Sequence, residues 1–111
     1  MDCLFCKITK KEIPSKVVYE DKECLAFRDI NPQAPTHILI VPFKHIEKIA
    51  DMAQTDKELI GHLHWVAREI ASQESLEDFR LVNNNGPSAG QSVWHLHLHL
   101  LGGRPFGWPP G

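Results

Sequence analysis

Apolar residues along this chain follow two spacings: a helical one in a single long stretch and a strand-like one in several short runs. Between residues 56 and 74, Leu59, Ile60, Leu63, Val66, Ala67, Ile70 and Ala71 recur at helical spacing, which predicts one long helix with an apolar face. The preceding Thr55-Asp-Lys-Glu58 has the form of a capping box. Residues 3–12 predict a short helical segment that stops before Pro14, because a residue preceding proline is pushed out of the α region. Residues 17–19 and 24–27 flank a charged connection of hairpin length and predict a first strand pair. Residues 36–41 follow a loop with two prolines and predict a buried strand. Residues 79–83 and 94–101 predict two more, separated by the Gly-rich loop 84–90.

About five strands, one long helix and one short helix define an α+β fold, an antiparallel sheet with its helices on one face. A length of 111 residues suits a single domain over the whole chain, with no second core. Residues 102–111 form an irregular tail, since proline and glycine occupy most of it. The exposed edges of so small a sheet, and a tail with nothing of its own to pack against, predict a homodimer.

Composition narrows the function. Twelve Lys plus Arg stand against fourteen Asp plus Glu, and the basic residues are scattered, which disfavours a nucleic-acid-binding face. Apolar runs such as 37–42 fall far short of the roughly 18 residues a membrane span needs, and the N-terminus has no signal-peptide core; a cytoplasmic protein is expected. Three cysteines, with Cys3-x-x-Cys6 among them, suggest reduced thiols or a metal rather than a disulfide framework.

Seven histidines are the anomaly. In the segment 94–101, strict alternation puts His95, His97 and His99 on one strand face and Trp94, Leu96, Leu98 and Leu100 on the other. Neighbouring histidines would stand about 6.7 Å apart along the strand. Imidazole can act as nucleophile, acid, base or ligand near neutral pH, so the row predicts an active site. Gly86, Gly90, Gln91 and Ser92 come just before it and offer N–H groups and a hydroxyl to a phosphate, which suits phosphoryl or nucleotidyl transfer. On its own, the same loop would read as a plain turn.

His95-Leu-His-Leu-His-Leu-Leu101 resembles the signature of the histidine triad family, and the chain is similar to the Hint branch of that family from about Phe5 to Gly111. The likeness includes Phe27-Arg-Asp-Ile30, Pro32-Gln-Ala-Pro-Thr-His37, Gly90-Gln-Ser92, Leu101-Gly-Gly-Arg104 and Trp108-Pro-Pro-Gly111. The resemblance implies a dimeric purine nucleoside phosphoramidase, an adenosine 5'-monophosphoramidase type of hydrolase that cleaves a P–N bond through a nucleotidyl-histidine. His97 would be the nucleophile, His99 would bond the α-phosphate, and His95 would orient the middle ring with His37 nearby. Ser92 and the backbone of Gly90 and Gln91 would contact the phosphate and the leaving group. Asp29 would take the ribose hydroxyls and Asn84 the phosphate side. Phe5, Ile8, Phe27, Ile30 and Leu39 would surround the purine; without the resemblance they would read as ordinary core.

No cofactor is required for that chemistry. In the wider family a structural zinc can sit on two N-terminal cysteines and two histidines, and Cys3, Cys6, His45 and His95 stand at the matching positions. His62 and His64 belong to no motif and are expected to pack on the helix surface. The rival readings are a dinucleoside polyphosphate hydrolase of the same family and a nucleotide-binding adaptor in which hydrolysis is incidental.

Overall fold

The computed structural model describes residues 3–111. Five strands, β1 (Val17–Glu20), β2 (Cys24–Arg28), β3 (Thr36–Pro42), β4 (Phe79–Val82) and β5 (Leu98–Gly102), form one antiparallel sheet in the spatial order β1-β2-β3-β5-β4. A short helix, α1 (Leu4–Thr9), precedes the sheet, and a long one, α2 (Lys57–Gln73), joins β3 to β4.

The apolar run of β3 is buried on both sides, and this decides the layering. Ile38 and Ile40 pack with Leu63, Val66, Ala67 and Ile70 of α2, while the alternate Leu39 and Val41 pack with Phe5 and Ile8 of α1. The helices therefore cover opposite faces, not one face as the sequence suggested. A six-residue helix suffices on the second face because Phe5 and Ile8 supply large apolar side chains there.

Three boundaries differ from expectation for local reasons. Helix α1 ends at Thr9, where Lys11 adopts a left-handed backbone (φ 62°) and the Glu12 N–H bonds the Lys7 carbonyl, closing the C-terminus before Pro14 is reached. The Thr55 capping box does not form. Residues Gln54–Asp56 make a 3-10 turn, and the Asp56 carboxylate accepts the Ala53 N–H at 2.8 Å and the Lys44 ammonium at 2.6 Å.

Strand β5 starts at Leu98 rather than at residue 94. Its ladder with β3 runs from Thr36 opposite Gly102 to Ile40 opposite Leu98. Continued in register it would meet Pro42, which has no N–H to donate. The chain turns away instead, the Leu96 N–H bonds the Ile46 carbonyl, and Trp94 leaves the core face to stand 43% exposed.

Candidate functional site

On the α1 face of the sheet, a cavity of about 550 Å³ opens between α1, the start of β3, β5 and the loop 90–93. Phe5, Ile8, Phe27 and Leu39 form its buried apolar wall, and Ile30 stands 99% exposed beside Asp29 at its mouth. His37, His97 and His99 enter from the sheet, and Gly90 and Ser92 from the loop. The volume falls in the range of small-molecule sites.

Hydrogen bonds give each ring a defined tautomer. The Gln33 N–H donates to Nδ1 of His37 at 3.0 Å, so the proton of the neutral ring is on Nε2, which lies 2.9 Å from Nδ1 of His99. His99 thus accepts at Nδ1 and carries its own proton on Nε2. For His97 the order is reversed: Nδ1–H donates to the His95 carbonyl at 2.7 Å, leaving Nε2 as a bare lone pair. The His97 and His99 rings are 4.8 Å apart, and Phe5 packs edge-on against His97 at 4.9 Å. Burial lowers the pKa of all three rings, taking His99 down to about 4, so they are neutral at neutral pH.

Asp29 supports the loop and faces the site at once. One carboxylate oxygen accepts the Asn31 N–H at 2.8 Å, and the other lies 3.5 Å from Nε2 of His37.

The Gly-rich loop behaves differently from expectation. The Gly90 N–H bonds the Pro87 carbonyl and the Gln91 N–H bonds the Gly86 carbonyl, so neither is left for a phosphate. Gln91 is a buried staple whose side-chain amide accepts the Gly86 N–H and donates to the Glu47 and Val93 carbonyls. Gly90 takes a left-handed backbone (φ 100°), which any side chain would strain. Ser92 has neither its N–H nor its hydroxyl engaged among the described residues and lines the cavity. Asn84 lies beside Gly90 and, with His99, lines a smaller cavity of about 250 Å³ that also holds Arg80 and Arg104.

His95 leaves the row. Its Nε2–H donates to the Pro42 carbonyl at 2.8 Å, and its free Nδ1 faces Cys3 Sγ (3.3 Å), Cys6 Sγ (3.6 Å) and His45 Nδ1 (3.2 Å). These four donors lie within 4.8 Å of one another, and two thiolates with two imidazoles suit a tetrahedral metal ion. Both sulfurs and the Nδ1 atoms of His45 and His95 converge there, so the residues fit the group. His62 instead bonds Asp21 at 2.6 Å, clasping α2 to the β1–β2 turn, and His64 bonds the Ile60 carbonyl within the helix.

The sequence reading missed Gln33 and Pro42. Both act through backbone atoms, so their residue types carried no signal.

Over this apolar cavity two neutral histidines of opposite polarity stand side by side, one offering a lone pair and the other a hydrogen-bond donor. The HIT domain family model matches residues 10–106, and the chain belongs to this family. It is 53% identical to an uncharacterized HIT-like protein of Synechocystis over 99% of this chain and 97% of that protein. A 14 kDa zinc-binding protein of Zea mays is 58% identical over 97% of this chain and 87% of that protein. Among solved structures, a HIT family hydrolase from Legionella pneumophila superposes with a TM-score of 0.97 at 54% identity, covering 99% of this chain and 100% of that one.

Proposed function

We propose that the protein hydrolyses purine nucleoside 5'-phosphoramidates to the nucleoside monophosphate and a free amine. The observation that carries this reading is the opposed tautomers: a bare His97 Nε2 lone pair beside a His99 Nε2–H donor. His97 attacks phosphorus, the P–N bond breaks, and the departing nitrogen takes a proton from solvent by way of the Ser92 hydroxyl, leaving the nucleotide bonded to His97. Water then attacks the same phosphorus and gives up one proton to solvent, and His97 leaves with its original tautomer restored. His99 donates to a phosphoryl oxygen as charge develops, and the unspent Ser92 hydroxyl stands where it can serve the leaving nitrogen. Asp29 takes the ribose hydroxyls, and Phe5, Ile8, Phe27, Ile30 and Leu39 hold the base. Asn84, beside Gly90 and His99, serves the phosphate side.

Cys3, Cys6, His45 and His95 would hold a zinc ion. With four protein donors such an ion would tie α1 to the segment before β5 in a structural role. The name of the Zea mays relative and the convergence of the donors support this. A homodimer in the cytoplasm, with Trp108 of the tail, 83% exposed here, near the partner's site, completes the proposal.

Turnover of adenosine 5'-monophosphoramidate measured beside a diadenosine polyphosphate tests the reading. The phosphoramidate is expected to be the better substrate, and His97→Ala to abolish its turnover while retaining nucleotide binding. Wild-type-like turnover by His97→Ala would overturn the assignment.

A further inference from the structure

A second cavity, of about 430 Å³, adjoins the first beyond the loop and is lined by Cys3, Leu4, His45, Glu47, Ser92, Val93 and Trp94. Leu4, Ser92 and Val93 line both, so Ser92 stands on the wall between them. Two of its walls are apolar and open: Leu4 is 46% and Trp94 43% exposed. Glu47 is the one carboxylate among its lining residues. The nearby cations are already engaged, Lys44 with Asp56 at 2.6 Å and Lys48 with Asp51 at 3.0 Å, whereas Glu47 has no ion-pair partner among the described residues.

We infer that this cavity is the subsite for the leaving amine and that it favours amines whose side chain carries a distal positive charge. The inference rests on the phosphoramidase reading. If the departing nitrogen lies against Ser92, whatever hangs from that nitrogen must extend past Ser92, and the space there is this cavity. A methylene chain lies along Leu4 and the Trp94 ring, and a terminal ammonium meets the indole face and the Glu47 carboxylate. The other exit, past His37 and His99, leads to the cavity holding Arg80 and Arg104, which has the opposite sign. The charge of the preferred amine therefore reports which exit the leaving group takes.

The test uses the full-length protein and four adenosine 5'-phosphoramidates whose amines are ammonia, pentylamine, 1,5-diaminopentane and 5-aminopentanoate. The expected order of kcat/KM is diaminopentane above pentylamine above aminopentanoate, each step up to about fivefold, as for an exposed ion pair, and compressed by salt. Glu47→Gln is expected to level the diaminopentane advantage, and Glu47→Lys to reverse the order; circular dichroism checks that both variants fold. An aminopentanoate preference in the wild type, or an order unmoved by Glu47→Lys, would overturn the subsite. Failure to cleave even the ammonia compound would overturn the phosphoramidase reading, and the subsite with it.

Discussion

Replacing His37 by alanine removes the Nε2–H that donates to Nδ1 of His99 at 2.9 Å. His99 then keeps a buried nitrogen without a partner, and nothing holds its proton on Nε2. An orphaned buried acceptor costs about 1–3 kcal/mol. If that cost falls on the transition state, where the His99 donor is needed, kcat drops by about 5- to 150-fold. Nucleotide affinity changes less, because the apolar wall and Asp29 remain. Steady-state kinetics on adenosine 5'-monophosphoramidate measure the drop, and 15N-edited NMR of the imidazoles reads the tautomers directly. The wild type is expected to show His99 as the Nε2–H form and His97 as the Nδ1–H form. A wild-type His99 in the Nδ1–H form, or an unchanged kcat in His37→Ala, would refute the relay.

Gly103→Ala is expected to lower stability by about 1–3 kcal/mol, read as a fall in Tm, because φ is 92° there and a Cβ would stand 2.9 Å from Cβ of Pro35. Burial depresses the His99 pKa from 6.5 to about 4, so the unfolded chain binds that proton more readily. The His99 contribution to stability is complete above pH 6.5 and is lost as pH falls from there towards 4. Chemical denaturation of wild type and His99→Asn across this window is expected to show a shallower acid loss in the variant. Removal of metal by a chelator is expected to lower Tm and to loosen α1, seen as faster amide exchange at Lys7 and Lys10, whose N–H groups bond Cys3 and Cys6 carbonyls. A zinc content near zero in protein purified without chelator would discard the metal.

Periodicity was enough to reveal the strands and the long helix, because those follow from spacing within one segment, but of the expected row of three imidazoles only His97 and His99 share the cavity. The apolar cavity wall was legible only through resemblance, since Phe27 and Leu39 are ordinary strand residues until α1 is seen to cover part of their face and leave the rest open. Backbone bookkeeping was not legible at all. That Gly90 and Gln91 spend their N–H groups inside the loop depends on a turn geometry that many Gly-rich sequences could satisfy in other ways. The truncation of β5 depends on which residue of β3 stands opposite it, a fact of register. Proline at position 42 was visible, but its position across from Leu96 was not.

The same register makes three like residues unlike. His95, His97 and His99 each have two nitrogens, and the fold assigns one of each to a different kind of partner. Pro42, at the point where the ladder fails, offers its carbonyl to His95 and so turns that ring's lone pair towards the cysteines. The His95 carbonyl, ahead of the start of β5, takes Nδ1–H of His97 and bares its other nitrogen. His99, back inside the ladder, has no such carbonyl and pairs with His37 on the adjacent strand, which leaves it a donor. Strand alternation aims the backbone of residues 95, 97 and 99 at the β4 side and away from β3, and β4 ends at Val82 opposite His99, so the His95 carbonyl has no strand partner to displace His97. The early end of β4 thus leaves the carbonyl that bares the His97 lone pair, while Pro42, remote in sequence and outside the cavity, sets the direction of the His95 ring.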